Sequence, residues 1–170
     1  MDTNRGTGVR TAGFTYQADP RTPFVVEPDT MLLWHMDETG NGAVRVLDVA
    51  RYIHGNASSA STEQPGQFSR GRAKGNIFAD QDNGALYFGS SGYTVEFWVK
   101  TDPVVNAHTL VGKDSPDGNS NSAEYGVRLL PSGLLRAFME DTSRTVWKAE
   151  LQPTVYKVDD NQWHYVAMVV

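Results

Sequence analysis

The sequence predicts an all-β protein built as a two-sheet antiparallel sandwich. Thr94–Lys100 alternates apolar and polar residues, with Val95, Phe97 and Val99 on one face, which is typical of a half-buried strand. Short apolar runs of this kind recur along the chain and are separated by residues that favour turns. No window carries apolar residues at helical spacing, and no block of 20 to 50 residues repeats. Many short strands separated by turn residues suggest an antiparallel sandwich.

The first half of the chain carries fewer strand patterns than the second. Residues 1–30 are rich in Thr, Gly, Asp and Pro and are predicted to form an N-terminal arm or linker before a domain at 31–170. Met31–Met36 and Ala43–Leu47 are predicted strands. Residues 55–83 contain mostly Gly, Ser, Asn, Asp and Gln, which predicts a long loop.

The second half contains the clearest strand patterns. Pro131, Ser132 and Gly133 separate two apolar segments and predict a hairpin. The strands predicted here, after Thr94–Lys100, are Thr109–Val111, Tyr125–Leu130, Leu134–Met139, Arg144–Lys148 and Trp163–Val170.

Composition and charge exclude several classes of protein. The chain has 170 residues, which suits one domain, and 15 Lys and Arg against 20 Asp and Glu give a net charge of −5. Nucleic-acid binders need a basic surface, so this balance argues against them. The absence of Cys excludes disulfides, Cys-ligated zinc and thiol catalysis. The longest apolar run, Tyr165–Val170, is far shorter than the roughly 20 residues of a membrane-spanning helix, so membrane insertion is not expected.

Six segments, in order along the chain, resemble one family. They are Leu33–Glu38, Val46–Asp48 followed by Gly55 and Asn56, Gly84–Gly89, Thr94–Lys100, Leu110–Lys113 and Asp160–Ala167. Together they resemble the laminin-G-like jelly rolls of the concanavalin A-like lectin/glucanase superfamily, in which the corresponding strands read LLWHFDE, ALxFdG, TVEFWVK and DGQWHHVA. The resemblance implies a laminin-G-like jelly roll over 31–170.

The resemblance also implies a function. Such a domain is expected to act as a non-catalytic extracellular recognition or adhesion module, secreted or at the cell surface, with a carbohydrate or a cell-surface protein as its partner. A structural spacer or assembly module in a larger surface protein is the first alternative. A degenerate relative of the glycoside hydrolases is the second, since fold alone does not fix function.

The chain departs from the family pattern in two places. Ser90–Tyr93 replaces a family strand, and the family continues through further strands beyond the one that ends here at Val170. We therefore expect a C-terminally incomplete jelly roll. It is either a truncated product that aggregates or is poorly stable, or a piece completed by a neighbouring domain or chain through strand addition.

Catalysis is not expected. Glycoside hydrolases need two carboxyl groups held about 5–9.5 Å apart, and one branch of the superfamily carries them on one strand as E-x-D-x-x-E. No such run exists, and Glu96 is the lone acidic residue on its strand.

Structural calcium is the more plausible chemistry. Calcium takes 6 to 8 oxygen ligands, often from loops. The resemblance implies that Asp48, with carbonyls near Asn56, joins such a site, and Asp37 offers a further oxygen in a neighbouring loop. The alternative is that these residues only form turns, because Asp and Asn side chains bond nearby backbone amides.

Exposed aromatic rings and basic residues are the candidates for glycan contact. The predicted ligand-binding residues are Trp98, on the polar face of its strand, and Trp147, near the end of another strand. Trp34 and Trp163 lie in apolar strands and are expected in the core. A basic cluster could meet an acidic glycan or form a solvated loop. It consists of Arg70, Arg72 and Lys74.

Overall fold

The computed structural model shows eleven strands and no helix in the part of the chain that it describes. The described residues are 22–40, 45–58, 61–73, 75–80, 84–86, 88, 91–113, 125–140, 147–151 and 156–170. Every pair of neighbouring strands among them is antiparallel, which confirms the predicted all-β class. No helix in this part of the chain is long and apolar enough to cross a membrane. The chain divides into two compact units, Met1–Asp82 and Asn83–Val170.

The first unit contains two small sheets. Its strands are β1 (Arg45–Val46), β2 (Gly55–Ser58), β3 (Ser61–Pro65), β4 (Arg70–Ala73) and β5 (Asn76–Ala79). One sheet has three strands in the order β1-β2-β5, and the other is the β3-β4 hairpin. The long loop predicted over 55–83 is therefore wrong, since four strands lie within it. Their backbones pair, but Gly, Asn and Ser side chains give them no apolar alternation from which a strand could be predicted.

Other predictions for the first unit are partly corrected. Met31–Met36 is not a strand: Trp34 makes a single bridge with Asp48, and Met36 adopts a φ of 62°, which ends the extended conformation. The strand predicted from Ala43 is observed as β1, and residues 43 and 44 lie outside the described residues. The predicted arm over 1–30 also lies outside them, except for 22–30, which contain no strand.

The second unit follows the sequence prediction more closely. Its strands are β6 (Thr94–Val99), β7 (His108–Lys113), β8 (Tyr125–Leu129), β9 (Leu135–Glu140), β10 (Trp147–Leu151) and β11 (His164–Val169). They form a four-stranded sheet in the order β10-β9-β8-β7 and a two-stranded sheet of β11 and β6. The predicted hairpin is confirmed between β8 and β9, where Gly133 supplies the turn with a φ of 80°. Of the predicted strand Arg144–Lys148, residues 147 and 148 lie in β10, and residues 144–146 lie outside the described ones.

The two sheets of the second unit pack face to face. Tyr125, Val127 and Met168 are buried at the centre of an apolar cluster. β6 contributes Val95 and Phe97 to this cluster, as the alternation predicts, and Val99 is partly buried on the same strand. The other partly buried members are Phe88, Tyr93, Val111, Leu135, Ala137, Met139 and Val166. The predicted antiparallel sandwich is thus present within this unit.

Candidate functional site

One face of the three-stranded sheet carries a row of exposed side chains. Arg45 on β1 pairs with Asn56 on β2, which pairs with Phe78 on β5. Directly opposed residues of a sheet point to the same side, and so do residues two apart on one strand. The outer face, as we name it, therefore consists of Arg45, Asn56, Ser58, Asn76, Phe78 and Asp80.

The outer face combines an aromatic ring with hydrogen-bonding groups. Phe78 is 63% exposed, and the Arg45 side chain is 58% exposed. The Arg45 guanidinium lies 3.5 Å from a carboxylate oxygen of Asp80, so the two charges compensate each other. Asn56 and Asn76 are exposed and add side-chain amides, each of which can donate and accept. The face thus offers one apolar platform surrounded by donors and acceptors.

The opposite face of the same sheet is packed and holds the outer face in place. Val46 is fully buried, and Ala57 is 8% exposed. A Cβ at Gly55 would lie 3.0 Å from Cζ2 of Trp34, so Gly55 lets the indole approach the backbone. The indole Nε1 of Trp34 donates to the carbonyl of Ile53 at 2.9 Å, which fixes the ring. A rigid strand scaffold positions side chains more exactly than a loop does.

Asp48 organises the segment between β1 and β2. Its carboxylate is 3% exposed and accepts four backbone N–H groups, from Leu33, Ala50, Arg51 and Ile53, at 2.8 to 2.9 Å. A carboxylate has about four lone-pair sites, so these donors occupy all of them. This is the turn-forming arrangement that the sequence offered as the alternative to a calcium ligand.

Hydrogen bonding sets the protonation behaviour of Asp48. Burial alone would raise the pKa of this carboxyl, but the four backbone N–H donors outweigh burial and hold the pKa below its ordinary value of 3.8. Because the unfolded chain then takes up a proton at a higher pH than the folded chain, Asp48 stabilises the fold above about pH 4 and this contribution is lost as the pH falls.

The pH dependence of stability should therefore report on Asp48. We expect the free energy of unfolding to fall more steeply below about pH 4 for the unsubstituted chain than for Asp48→Asn, which has no carboxyl to protonate. Urea denaturation at pH 3, 4, 5 and 7 measures this difference. Parallel curves for the two proteins over that range would contradict the inferred pKa.

The residues predicted to bind calcium lie in different settings. Asp48 has no lone pair left for a metal, and Asp37 and Asn56 are exposed, with Asn56 on the outer face. Within the described ranges, no three His, Asp or Glu side chains are grouped so that they could hold a metal ion. Calcium binding at these residues stays a prediction.

Arg72, one residue of the predicted basic cluster, makes an ion pair within the first unit. Nε and Nη2 of Arg72 both donate to one carboxylate oxygen of Glu38, at 3.2 and 3.0 Å, and Nη2 also donates to the carbonyl of Arg45. The Arg72 side chain is only 3% exposed. Glu38 accepts the backbone N–H of Leu47 with its other oxygen. Arg72 therefore connects β4 to β1 and is neither solvated nor open to a glycan. Arg70 is exposed, and residue 74 lies outside the described residues.

The two tryptophans predicted to bind a ligand lie in the second unit. Trp98 is partly buried, and its ring centroid is 5.6 Å from that of Tyr165, the residue paired with it on β11. The hydroxyl of Tyr165 donates to the carboxylate of Glu96 on the same sheet. Trp147 begins β10 opposite Glu140, and its side chain lies outside the described part of the structure. A ligand-binding role for either tryptophan stays a prediction.

Comparison with protein families matches residues 71–170, more than half of the chain, to the concanavalin A-like lectin/glucanases superfamily. The chain belongs to this superfamily. The matched residues run from β4 to β11 and include Phe78 and Asp80 of the outer face, whereas Arg45 and Asn56 precede them. Comparisons with curated proteins and with solved structures found no match.

The sequence alone did not indicate the outer face as a candidate site. Phe78 lies in the segment predicted as a loop. No strand was therefore predicted there whose pairing would place Phe78 opposite Asn56. The one available signal was the pair Ile77 and Phe78, two apolar residues among polar ones. One of them is partly buried and the other exposed, which is the pattern of a half-buried strand.

Proposed function

We propose that the chain is a non-catalytic carbohydrate-recognition module that binds a neutral saccharide on the outer face. The observation that carries this proposal is the row of Arg45, Asn56 and Phe78 across three strands, with the ring of Phe78 63% exposed. An exposed aromatic ring gives a flat apolar surface on which a ligand can stack, and polar groups beside the ring can fix the orientation of that ligand.

The chemistry of the row suits a sugar. One face of a pyranose carries mainly C–H groups, which pack on an aromatic ring, whereas its hydroxyls need donors and acceptors at the rim. Asn56 and Asn76 can do both, and Asp80 accepts while Arg45 donates. Since Arg45 and Asp80 lie 3.5 Å apart, the face has no net charge from this pair, which favours a neutral saccharide over an acidic one.

The engagement of three carboxylates supports a non-catalytic role. Asp48 is occupied by backbone donors, Glu38 by Arg72 and Leu47, and Glu96 by Tyr165. A general acid or nucleophile needs access to its substrate. As part of the same proposal we place this recognition function outside the cell or at its surface, where glycans are met.

A glycan array tests the proposal with Phe78→Ala and a matched control. Tyr156 is another exposed aromatic residue, 77% exposed and in the second unit, so Tyr156→Ala removes a ring of similar exposure elsewhere. We expect the unsubstituted chain and Tyr156→Ala to bind the same glycans, and Phe78→Ala to lose about tenfold in affinity or more, which corresponds to about 1.4 kcal/mol of lost contact. Unchanged binding by Phe78→Ala, or no binding by any of the three proteins, would contradict the proposal.

A further inference from the structure

An exposed tyrosine occupies a strained backbone position between β1 and β2. Tyr52 has a φ of 65°, in the left-handed region that residues other than Gly rarely adopt, and its side chain is 79% exposed. Because the ring is exposed, its burial contributes little stability to offset the backbone strain. Strained positions of this kind are found where the surrounding structure over-determines them, and they cluster at functional sites.

Asp48 is the group that imposes this conformation. Its carboxylate accepts the backbone N–H groups of Arg51 and Ile53, the residues on either side of Tyr52, at 2.9 and 2.8 Å. Ile53 is 2% exposed, so the chain after Tyr52 is anchored in the core of the unit. With both neighbours fixed, Tyr52 is held with its side chain in solvent.

The ring of Tyr52 stands beside the end of the outer face. Its centroid lies 6.2 Å from that of His54 in an edge-on contact, and Nδ1 of His54 accepts the backbone N–H of Asp48, which fixes the imidazole. The carbonyl of His54 accepts the backbone N–H of Asp80 at 2.8 Å and so extends the β2-β5 ladder by one residue. Asp80 in turn contacts Arg45. Successive contacts thus connect Tyr52 through His54 and Asp80 to Arg45 of the outer face, which also carries Phe78.

We propose that Tyr52 is a second stacking position of the same binding surface, so that the ligand is a linear oligosaccharide rather than a single sugar. This inference rests on the proposed function of the outer face. One sugar unit stacks on Phe78, the next meets Arg45, Asn56 and Asp80, and a further unit stacks on Tyr52. The strain at Tyr52 is retained because it holds the ring ready for the ligand before binding.

The inference is tested with an array that carries linear glucan, xylan and mannan series from one to four units long. Tyr52→Asn removes the ring and keeps a residue that tolerates the left-handed conformation. Glu63→Asn is the matched control, because Glu63 is also exposed and has a φ of 57° but carries no ring. We expect the signal of the unsubstituted chain and of Glu63→Asn to rise with glycan length, and Tyr52→Asn to bind with a signal that no longer rises, about tenfold lower for the tetrasaccharide. Its melting temperature should be no lower than that of the unsubstituted chain.

The outcomes separate this inference from the proposed function. If Phe78→Ala loses binding at every length while Tyr52→Asn keeps the full dependence on length, the second stacking position is wrong and the outer face stands. If Tyr52→Asn melts at a lower temperature, the ring serves the fold and the inference is also wrong. If no series binds, or Phe78→Ala binds like the unsubstituted chain, the proposed function itself fails.

Discussion

Asp48→Ala is expected to unfold the first unit. The substitution leaves four backbone N–H groups without their acceptor: those of Leu33 and Ile53 are buried, and those of Ala50 and Arg51 are partly buried. Each unsatisfied buried donor costs about 1–3 kcal/mol. The two buried donors alone therefore cost about 2–6 kcal/mol, which approaches the whole stability of a small domain, about 5–15 kcal/mol.

A graded series distinguishes this role from a simple loss of volume. Asp48→Asn keeps one acceptor oxygen, but the NH2 group of its side-chain amide then faces two of the backbone N–H groups. We therefore expect the stability of this variant to lie between that of the unsubstituted chain and that of Asp48→Ala. Asp37→Ala is the control, because Asp37 is an exposed acidic residue of the same unit. Hydrogen exchange of the amides of β1, β2 and β5 measures the effect in this unit alone. Slow exchange in Asp48→Ala, equal to that of the control, would show that the four bonds are dispensable.

Arg72→Ala should be the second most damaging change. It breaks a buried ion pair and leaves the carboxylate of Glu38, whose side chain is 13% exposed, without its charged partner. Removing one partner of a buried pair costs about 3–5 kcal/mol. Arg72 also donates to the carbonyl of Arg45, so β1 loses a connection to β4. We expect a fall in melting temperature of about 6–20 °C, at roughly 2–4 °C for each kcal/mol in a chain of this size.

The double substitution tests the reason for that loss. Combining Arg72→Met with Glu38→Leu removes both charges and keeps apolar volume, so it should be less destabilising than Arg72→Ala alone. Arg70→Ala, at an exposed position of the same strand, should change the melting temperature by less than about 2 °C. A double variant as unstable as Arg72→Ala would mean that the hydrogen bonds to the carbonyl of Arg45 and the N–H of Leu47, and not the unpaired charge, determine the cost.

The sequence predicted the second unit well because local pattern and packing agree there. The alternation of Val95 and Phe97 with polar neighbours follows from one buried face, and the structure places both residues in the apolar cluster. Gly133 was recognisable as a turn residue for an equally local reason, its tolerance of positive φ. In these elements the position of each residue follows from its own type and from its immediate neighbours in the sequence.

The first unit could not be predicted in the same way, because its contacts are distant in sequence. Asp48 was singled out, but whether its oxygens face a metal or the N–H of Leu33, fifteen residues earlier, depends on the folded chain. The partnership of Arg72 with Glu38 spans 34 residues and has no local pattern. Phe78 became a candidate only when the pairing of β2 with β5 placed it beside Asn56.

The central claim is that a saccharide binds on the outer face of the three-stranded sheet. Its most direct test is a nuclear magnetic resonance titration with the strongest glycan from the array, following the side-chain amides of Asn56 and Asn76 and the ring protons of Phe78. We predict that these signals shift together and saturably while the indole signal of Trp98 stays constant. Shifts confined to Trp98, with Asn56, Asn76 and Phe78 unchanged, would place the ligand on the second unit and contradict the claim.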